Sequence, residues 1–218
     1  MKILNLYACL GGNRYKWDEV ADVQVTAVEW DEELAKLYQE RFPNDKVVIA
    51  DAHQYLLDHY KEFDFIWTSP PCPTHSRARG WNTKVKTVYP SMKLYEEILL
   101  LETVSKGKDA RFKGKYVVEN VIPYYEPLIP AHKRGRHLYW TNFKLPNVLS
   151  NRHCTISSGK NEVKKLCKFH EYDFYKYNGK QPKNKIARNL VDYEAGKSIL
   201  ETVVGIVKKQ NINQLEMF

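Results

Sequence analysis

The sequence predicts an α/β fold built on a mainly parallel sheet covered on both faces. Three observations carry this. Short β-rich runs alternate with helix-like periods over the first two thirds of the chain. The 218 residues, 43% of them hydrophobic, suffice for one core that buries roughly 70% of the unfolded surface without disulfides or a structural metal. No apolar run is long enough to span a bilayer, so no membrane association is expected.

The predicted strands are Ile3 to Ala8, Val23 to Trp30, Val47 to Ala50, Phe63 to Thr68, Lys115 to Val121 and His137 to Phe143. Asp31 to Phe42 reads as a helix. It has an N-cap aspartate, acidic residues in its first turn, and Leu34, Leu37, Tyr38 and Phe42 along one face. His53 to Tyr60 follows a possible cap at Asp51, and Tyr95 to Val104 turns Ile98, Leu99, Leu101 and Val104 toward a core. Asp192 to Val207 is helical by period, with Ile199, Val203 and Ile206 on one side. Strands separated by helices are joined by right-handed crossovers, and ligands then sit at the carboxyl ends of the strands.

Charge is uneven. The chain carries a net +8, of which +7 lies between residues 147 and 190. From Asn147 to about Ala187 the period disappears, and Lys, Asn, Gly, Tyr and Phe dominate. The expected organisation is therefore a body at 1–146, a loop-rich basic insert at 147–187, a returning helix at 188–207 and a polar tail at 208–218. A near-neutral body with one basic segment points to a local polyanion site. Cys9, Cys72, Cys154 and Cys167 are irregularly spaced and read as reduced thiols. The opening MKILNLYA enters a strand without a secretory apolar core, so an intracellular, cytoplasmic protein is expected.

Four clusters bear chemistry. Tyr7, Ala8, Cys9, Leu10, Gly11 and Gly12 follow the first strand, and Glu29 and Trp30 end the second. A glycine turn followed by a strand-ending acid can hold a ribose, and Trp30 offers a face to an adenine ring. The plain alternative is a tight turn and a surface glutamate. Asp51 can accept from the adenine amino group or cap a helix. Next, Thr68-Ser69-Pro70-Pro71-Cys72-Pro73-Thr74-His75-Ser76 surrounds a cysteine with three prolines, which fix φ and remove backbone donors. A buried inert thiol needs no such cage, so Cys72 is a nucleophile candidate. Glu119-Asn120-Val121 closes an apolar strand with polar groups, which is costly unless they face a site. His132-Lys133-Arg134-Gly135-Arg136 precedes the last strand and by itself would be a solvated basic turn.

In this order the four clusters resemble the motif set of the cytosine-C5 DNA methyltransferases. The glycine turn is similar to the family's Phe-x-Gly-x-Gly-Gly loop, Pro71-Cys72 to its Pro-Cys loop, Glu119-Asn120-Val121 to its Glu-Asn-Val motif, and His132-x-Arg134-x-Arg136 to its Gln-x-Arg-x-Arg motif. Cys9 stands for the first glycine, His132 for the glutamine, and Pro73 for the glutamine after the cysteine. Near Asn189 the family's Gly-Asn-Ser-Val survives as Arg188-Asn189-Leu190-Val191.

The resemblance implies a Rossmann-like methyltransferase sheet with a small basic insert for target recognition. It implies S-adenosyl-L-methionine bound by the Tyr7 to Gly12 turn, Glu29, Trp30, Asp51, Pro70 and Asn189. Cys72, Glu119, Arg134 and Arg136 would be catalytic, with Arg134 on the base. Double-stranded DNA would be the substrate, in a bacterial or phage-infected cell, and the protein a monomer. Lys164, Lys165, Lys168 and Arg188 of the insert are expected on phosphates, and Phe169, Tyr172, Phe174, Tyr175 and Tyr177 supply rings suited to stacking.

The alternatives within enzymes are an RNA cytosine or an amino methyltransferase, since Ser69-Pro70-Pro71-Cys72 is similar to Asp-Pro-Pro-Tyr. From another class comes a non-catalytic DNA- and clamp-binding protein that retains a methyltransferase fold. A zinc site at Cys154, Cys167 and His170, beside His153, lacks a close cysteine pair, so no metal is expected. Gln214, Leu215, Met217 and Phe218 resemble the short peptide by which bacterial replication proteins bind the sliding clamp, or form an ordinary amphipathic tail.

Overall fold

The computed structural model describes residues 1–77, 86–108, 110–152, 154, 159 and 161–206. His153 and the tail from 207, with Gln214, Leu215, Met217 and Phe218, lie outside the described residues.

Strands β1 (Lys2–Leu6), β2 (Gln24–Glu29), β3 (Lys46–Ile49), β4 (Phe65–Thr68) and β5 (Lys115–Val121) run parallel. The seven-stranded sheet has the order β3-β2-β1-β4-β5-β7-β6, with β7 (His137–Thr141) antiparallel to both β5 and β6 (His132–Arg134). This is a Rossmann-like sheet, and its strand order reverses between β1 and β4. The loops leaving those two strands therefore open a crevice at their carboxyl ends, where ligands bind in such sheets.

Helices α1 (Glu32–Arg41), α2 (Ala52–His59) and α3 (Lys93–Ser105) lie between the parallel strands in sequence. α1 starts where Asp31 accepts from the amides of Glu33 and Leu34, and α2 starts where Asp51 accepts from those of His53 and Gln54. Alternate strand residues serve opposite faces. Leu4, Leu6, Ile66, Val118 and Trp140 pack with Leu56 of α2 and Ile98 and Leu101 of α3. Ile3, Phe65, Trp67, Val117 and Tyr139 pack with Trp17 and with Ile199, Leu200 and Val203 of α6 (Tyr193–Val203). Burial on both faces is why these strands read as near-continuous apolar runs.

His132–Arg134, which taken alone would be a solvated basic turn, forms the edge strand β6, because β7 offers it a free row of backbone groups. One sequence expectation is corrected. The insert, expected to be loop-rich, contains α4 (Glu162–His170) and α5 (Lys183–Asn189) around its own core of Leu166, Phe174, Tyr177, Ile186, Ala187 and Leu190. Each helix carries few apolar positions between lysines, which leaves a weak periodic signal. Phe174 and Tyr177 are fully buried there and offer no stacking face, whereas Tyr175 is exposed.

If the insert is a packed unit, Phe174→Ala should destabilise it by about 3–5 kcal/mol. Urea unfolding with hydrogen exchange over residues 161–190 reads this. Unchanged protection would mean that the ring supports no core.

Candidate active site

The first wall of the crevice is the turn after β1. Tyr7 and Cys9 take left-handed backbone angles, with φ of 56° and 47°, as does Gly11 at 65°. For non-glycine residues that conformation is strained and must be held from outside. Cys9 is held by its amide, which donates to Glu29 Oε2 at 2.8 Å. Tyr7 is held by its hydroxyl, which donates to the buried Glu97 carboxylate at 2.5 Å. The glycines serve packing rather than an open cradle. A side chain at Gly11 would strike the Tyr38 and Phe42 rings, and one at Gly12 would strike the Val191 carbonyl and Leu190. The same closeness brings the Asn189 segment against the turn. Ala8 and Leu10 are buried, and the Leu10 carbonyl accepts from Arg41, so Leu10 is a core residue of the turn.

The second wall fits the nucleoside part of the expected methyl donor. Glu29 ends β2 with one carboxylate oxygen accepting from the amides of Trp30 and Asp31 and the other from Cys9. Burial raises its pKa above the usual range, and the three amides oppose that shift. Trp30 is 78% exposed, so its indole face is open. Asp51 caps α2 and pairs with Lys93 at 3.3 Å, so cap and ligand roles are compatible. Acid, aromatic and second acid stand at successive strand ends, a donor set suited to a ribose and an adenine.

The nucleophile loop leaves β4 beside this wall. Three prolines leave it few backbone donors, so it is fastened through its carbonyls. The Asn120 amide, at the end of β5, donates to the Pro70 carbonyl at 2.9 Å and accepts from the Val121 amide. Further along, the amides of His75 and Ser76 donate to the Cys72 carbonyl, and the Tyr124 amide donates to the His75 carbonyl. His75 Nδ1 lies 2.5 Å from the Tyr125 hydroxyl. A cleft of about 260 Å³ opens between this loop and the start of α3, lined by Pro70, Pro71, Thr74, His75, Ser91 and Lys93 among others.

Cys72 is half-buried and free. Desolvation raises its pKa first and the Glu119 carboxylate raises it further, while Lys185 and Arg136 pull it down. Glu119 is 6% exposed, with His137 Nε2 at 3.5 Å, and burial lowers the pKa of His137 while the Glu119 carboxylate opposes that shift. The structure therefore gathers Cys72, Glu119 and Arg136 into one electrostatic neighbourhood. Arg134 donates to the carbonyls of Pro146 and Lys133. Arg136 donates to the Arg188 carbonyl at 3.1 Å, which ties the site to α5. Arg188 itself spends its guanidinium on Glu162 in two bonds of 2.8 and 2.7 Å, linking α4 to α5 rather than standing free for phosphate. Lys164, Lys165 and Lys168 are exposed on α4.

Sequence reasoning missed Lys185, His137, His53 and Glu97. Lys185 lies 113 residues from Cys72 in a run of lysines that reads as solvated surface. His137 directly follows the Arg136 motif, a proximity that could have flagged it.

Residues 1–98 match the family model described as C-5 cytosine-specific DNA methylase. That span includes the glycine turn, Glu29, Trp30, Asp51 and Cys72. No match was found among curated proteins. Among solved structures the chain is similar to a mutant DNMT2 from Spodoptera frugiperda, at 22% identity, covering 55% of this chain and 35% of that one with a TM-score of 0.37. It is also similar to a putative DNA modification methyltransferase encoded within an Escherichia coli prophage, at 18% identity, 58% and 34% coverage and a TM-score of 0.40. A third is the putative methyltransferase yhhF from Escherichia coli, at 17% identity, 64% and 73% coverage and a TM-score of 0.41. The first two matches span about a third of those chains. The family uses S-adenosylmethionine as methyl donor, and the residues at the β1, β2 and β3 ends fit it. The similarity to the C-5 cytosine-specific DNA methylase family thus rests on residues 1–98, a little under half of the chain.

Proposed function

We propose that the protein transfers a methyl group to carbon 5 of cytosine in DNA through a covalent adduct with Cys72. The observation that carries this is the meeting of the proline-caged Cys72 with Glu119 at neighbouring strand ends, fastened by the bond from Asn120 to Pro70. The donor supplies an electrophilic methyl group on a sulfonium. Everything else falls to the chain.

Carbon 5 of cytosine is a weak nucleophile. A thiolate at Cys72 adds to carbon 6, and the displaced electron pair reaches carbon 5, which takes the methyl group. Glu119 holds N3 and the exocyclic amine and favours protonation of N3 as the adduct forms, while Arg136 stabilises the charge developing on the base. Loss of the carbon 5 proton then restores the double bond as Cys72 leaves carbon 6. A stacked base exposes neither face to this attack, so the target leaves the duplex. Exposed Lys164, Lys165 and Lys168 supply phosphate contacts beside the site. The clamp proposal rests on the sequence Gln214 to Phe218 alone.

The test of the reaction is a labelled-methyl assay on duplex DNA, single-stranded DNA and tRNA, with duplex carrying 5-fluorocytosine as the trap. Fluorine cannot leave as the proton does, so wild type should form a stable adduct and Cys72→Ala none. Transfer by Cys72→Ala would overturn the mechanism, and transfer to tRNA alone would move the substrate to RNA.

The raised thiol gives a pH signature. Cys72 alkylation, followed by peptide mass spectrometry, should have a midpoint above that of an exposed cysteine. Removing the negative neighbour in Glu119→Gln should lower that midpoint, and removing the positive one in Arg136→Met should raise it. The opposite signs would separate these residues from the thiol.

Neutralising Lys164, Lys165 and Lys168 should weaken DNA binding and flatten the salt dependence, by about 0.9 in log–log slope for each phosphate no longer neutralised. An unchanged slope places the phosphates elsewhere.

A further inference from the structure

The apolar stripe of α3 that faces the sheet carries Leu94, Ile98 and Leu101, yet one buried position on the same helix is an acid. Glu97 is 1% exposed. Its Oε1 accepts from the Tyr7 hydroxyl at 2.5 Å and lies 3.0 Å from His53 Nδ1, and its Oε2 accepts from the Thr68 hydroxyl at 2.6 Å. His53 in turn reaches Glu96 with Nε2 at 3.1 Å. A carboxylate withdrawn from water is costly unless such partners surround it, and a leucine would pack this helix at no such cost. The three partners come from three elements: Tyr7 follows β1, Thr68 ends β4, and His53 lies in the first turn of α2, two residues after Asp51.

We propose that Glu97 is a positioning residue that sets the donor-binding turn and the nucleophile loop in fixed relation, by holding Tyr7 and Thr68 on one buried carboxylate. The proposal rests on reading the Tyr7 to Gly12 turn as the donor site and goes beyond it. Tyr7 sits in a left-handed conformation, which costs free energy, and its ring is held at the far end by this hydroxyl bond. Thr68 is the last residue of β4, directly ahead of Ser69 and Pro70, so its hydroxyl fixes the direction in which the nucleophile loop departs. Methyl transfer requires the donor and the nucleophile to meet one base in a single geometry, and misplacement of about 1 Å costs about a hundredfold in rate. A shared acceptor between the two strand ends, across the switch point of the sheet, meets that need.

The experiment measures S-adenosylmethionine affinity by calorimetry and Cys72 alkylation by peptide mass spectrometry in wild type, Tyr7→Phe, Thr68→Val, the double variant, Glu97→Leu and Glu97→Gln, with melting temperatures alongside. Thr68→Val should weaken donor binding although it alters only the nucleophile side, and Tyr7→Phe should change the Cys72 alkylation rate although it alters only the donor side. Glu97→Leu should weaken donor binding about tenfold or more, and Glu97→Gln, which still offers an acceptor, should recover most of it. The Tyr7→Phe and Thr68→Val losses should fall short of additive, because both act through one carboxylate. Additive losses without the crossed effects would overturn the proposal, as would a folded Glu97→Leu with wild-type affinity and alkylation. Because Tyr7→Phe and Thr68→Val remove one hydroxyl each, they decide the matter even if Glu97→Leu fails to fold. A wild type that binds no S-adenosylmethionine would overturn the donor-site reading first, before any variant is compared.

Discussion

A loop built from Pro70, Pro71 and Pro73 around Cys72 has almost no amides with which to bind anything, so its place in the molecule depends on what its carbonyls accept. The bond from Asn120 to the Pro70 carbonyl supplies that anchor from the end of the adjacent strand. Because β4 and β5 pair in parallel, Thr68 lies level with Val118, and the two residues that follow each of them arrive side by side. Asn120 can then reach Pro70 while the charge of its neighbour Glu119 is felt at Cys72. Parallel register and one amide thus bring nucleophile and acid together, although 47 residues separate them in the chain.

The electrostatics of the pocket follow from what surrounds that pair. Burial and a neighbouring carboxylate raise the pKa of the Cys72 thiol. Arg136 and Lys185 oppose both effects, and they come from β7's approach and from α5 of the insert. The insert is therefore more than a charged surface. Its helices are locked by the pairing of Arg188 with Glu162, and its last turn receives the Arg136 guanidinium. Lys185 of α5 is thus both a part of the insert and a contributor to the field at Cys72.

The glycine turn shows a similar economy. Its strained residues are supported by acids from other elements, Glu29 under Cys9 and Glu97 under Tyr7. Gly11 and Gly12 let α1 and the Leu190–Val191 segment close over it. A non-glycine residue at Cys9 is accommodated in the left-handed region because the Glu29 carboxylate holds its amide.

The sequence by itself determined the alternation of strands and helices and the caps at Asp31 and Asp51, and it singled out Cys72, Glu119, Glu29 and Trp30 as candidate site residues. These rest on local chemistry: period, capping, proline stiffness, and polar groups closing apolar strands. It left α4 and α5 unread, because their few apolar positions become a core only when Phe174 and Tyr177 fold over them. Arg134 and Arg188 were singled out from a motif and a basic run, and neither pattern shows where a guanidinium turns. Only the tertiary structure decided that Arg136 bears on the Cys72 thiol electrostatically, that Arg188 pairs with Glu162, and that Glu97 joins two strand ends. Each of those outcomes depends on partners more than twenty residues away in sequence, and the physical reason is that a buried charge takes its role from the donors the fold brings to it.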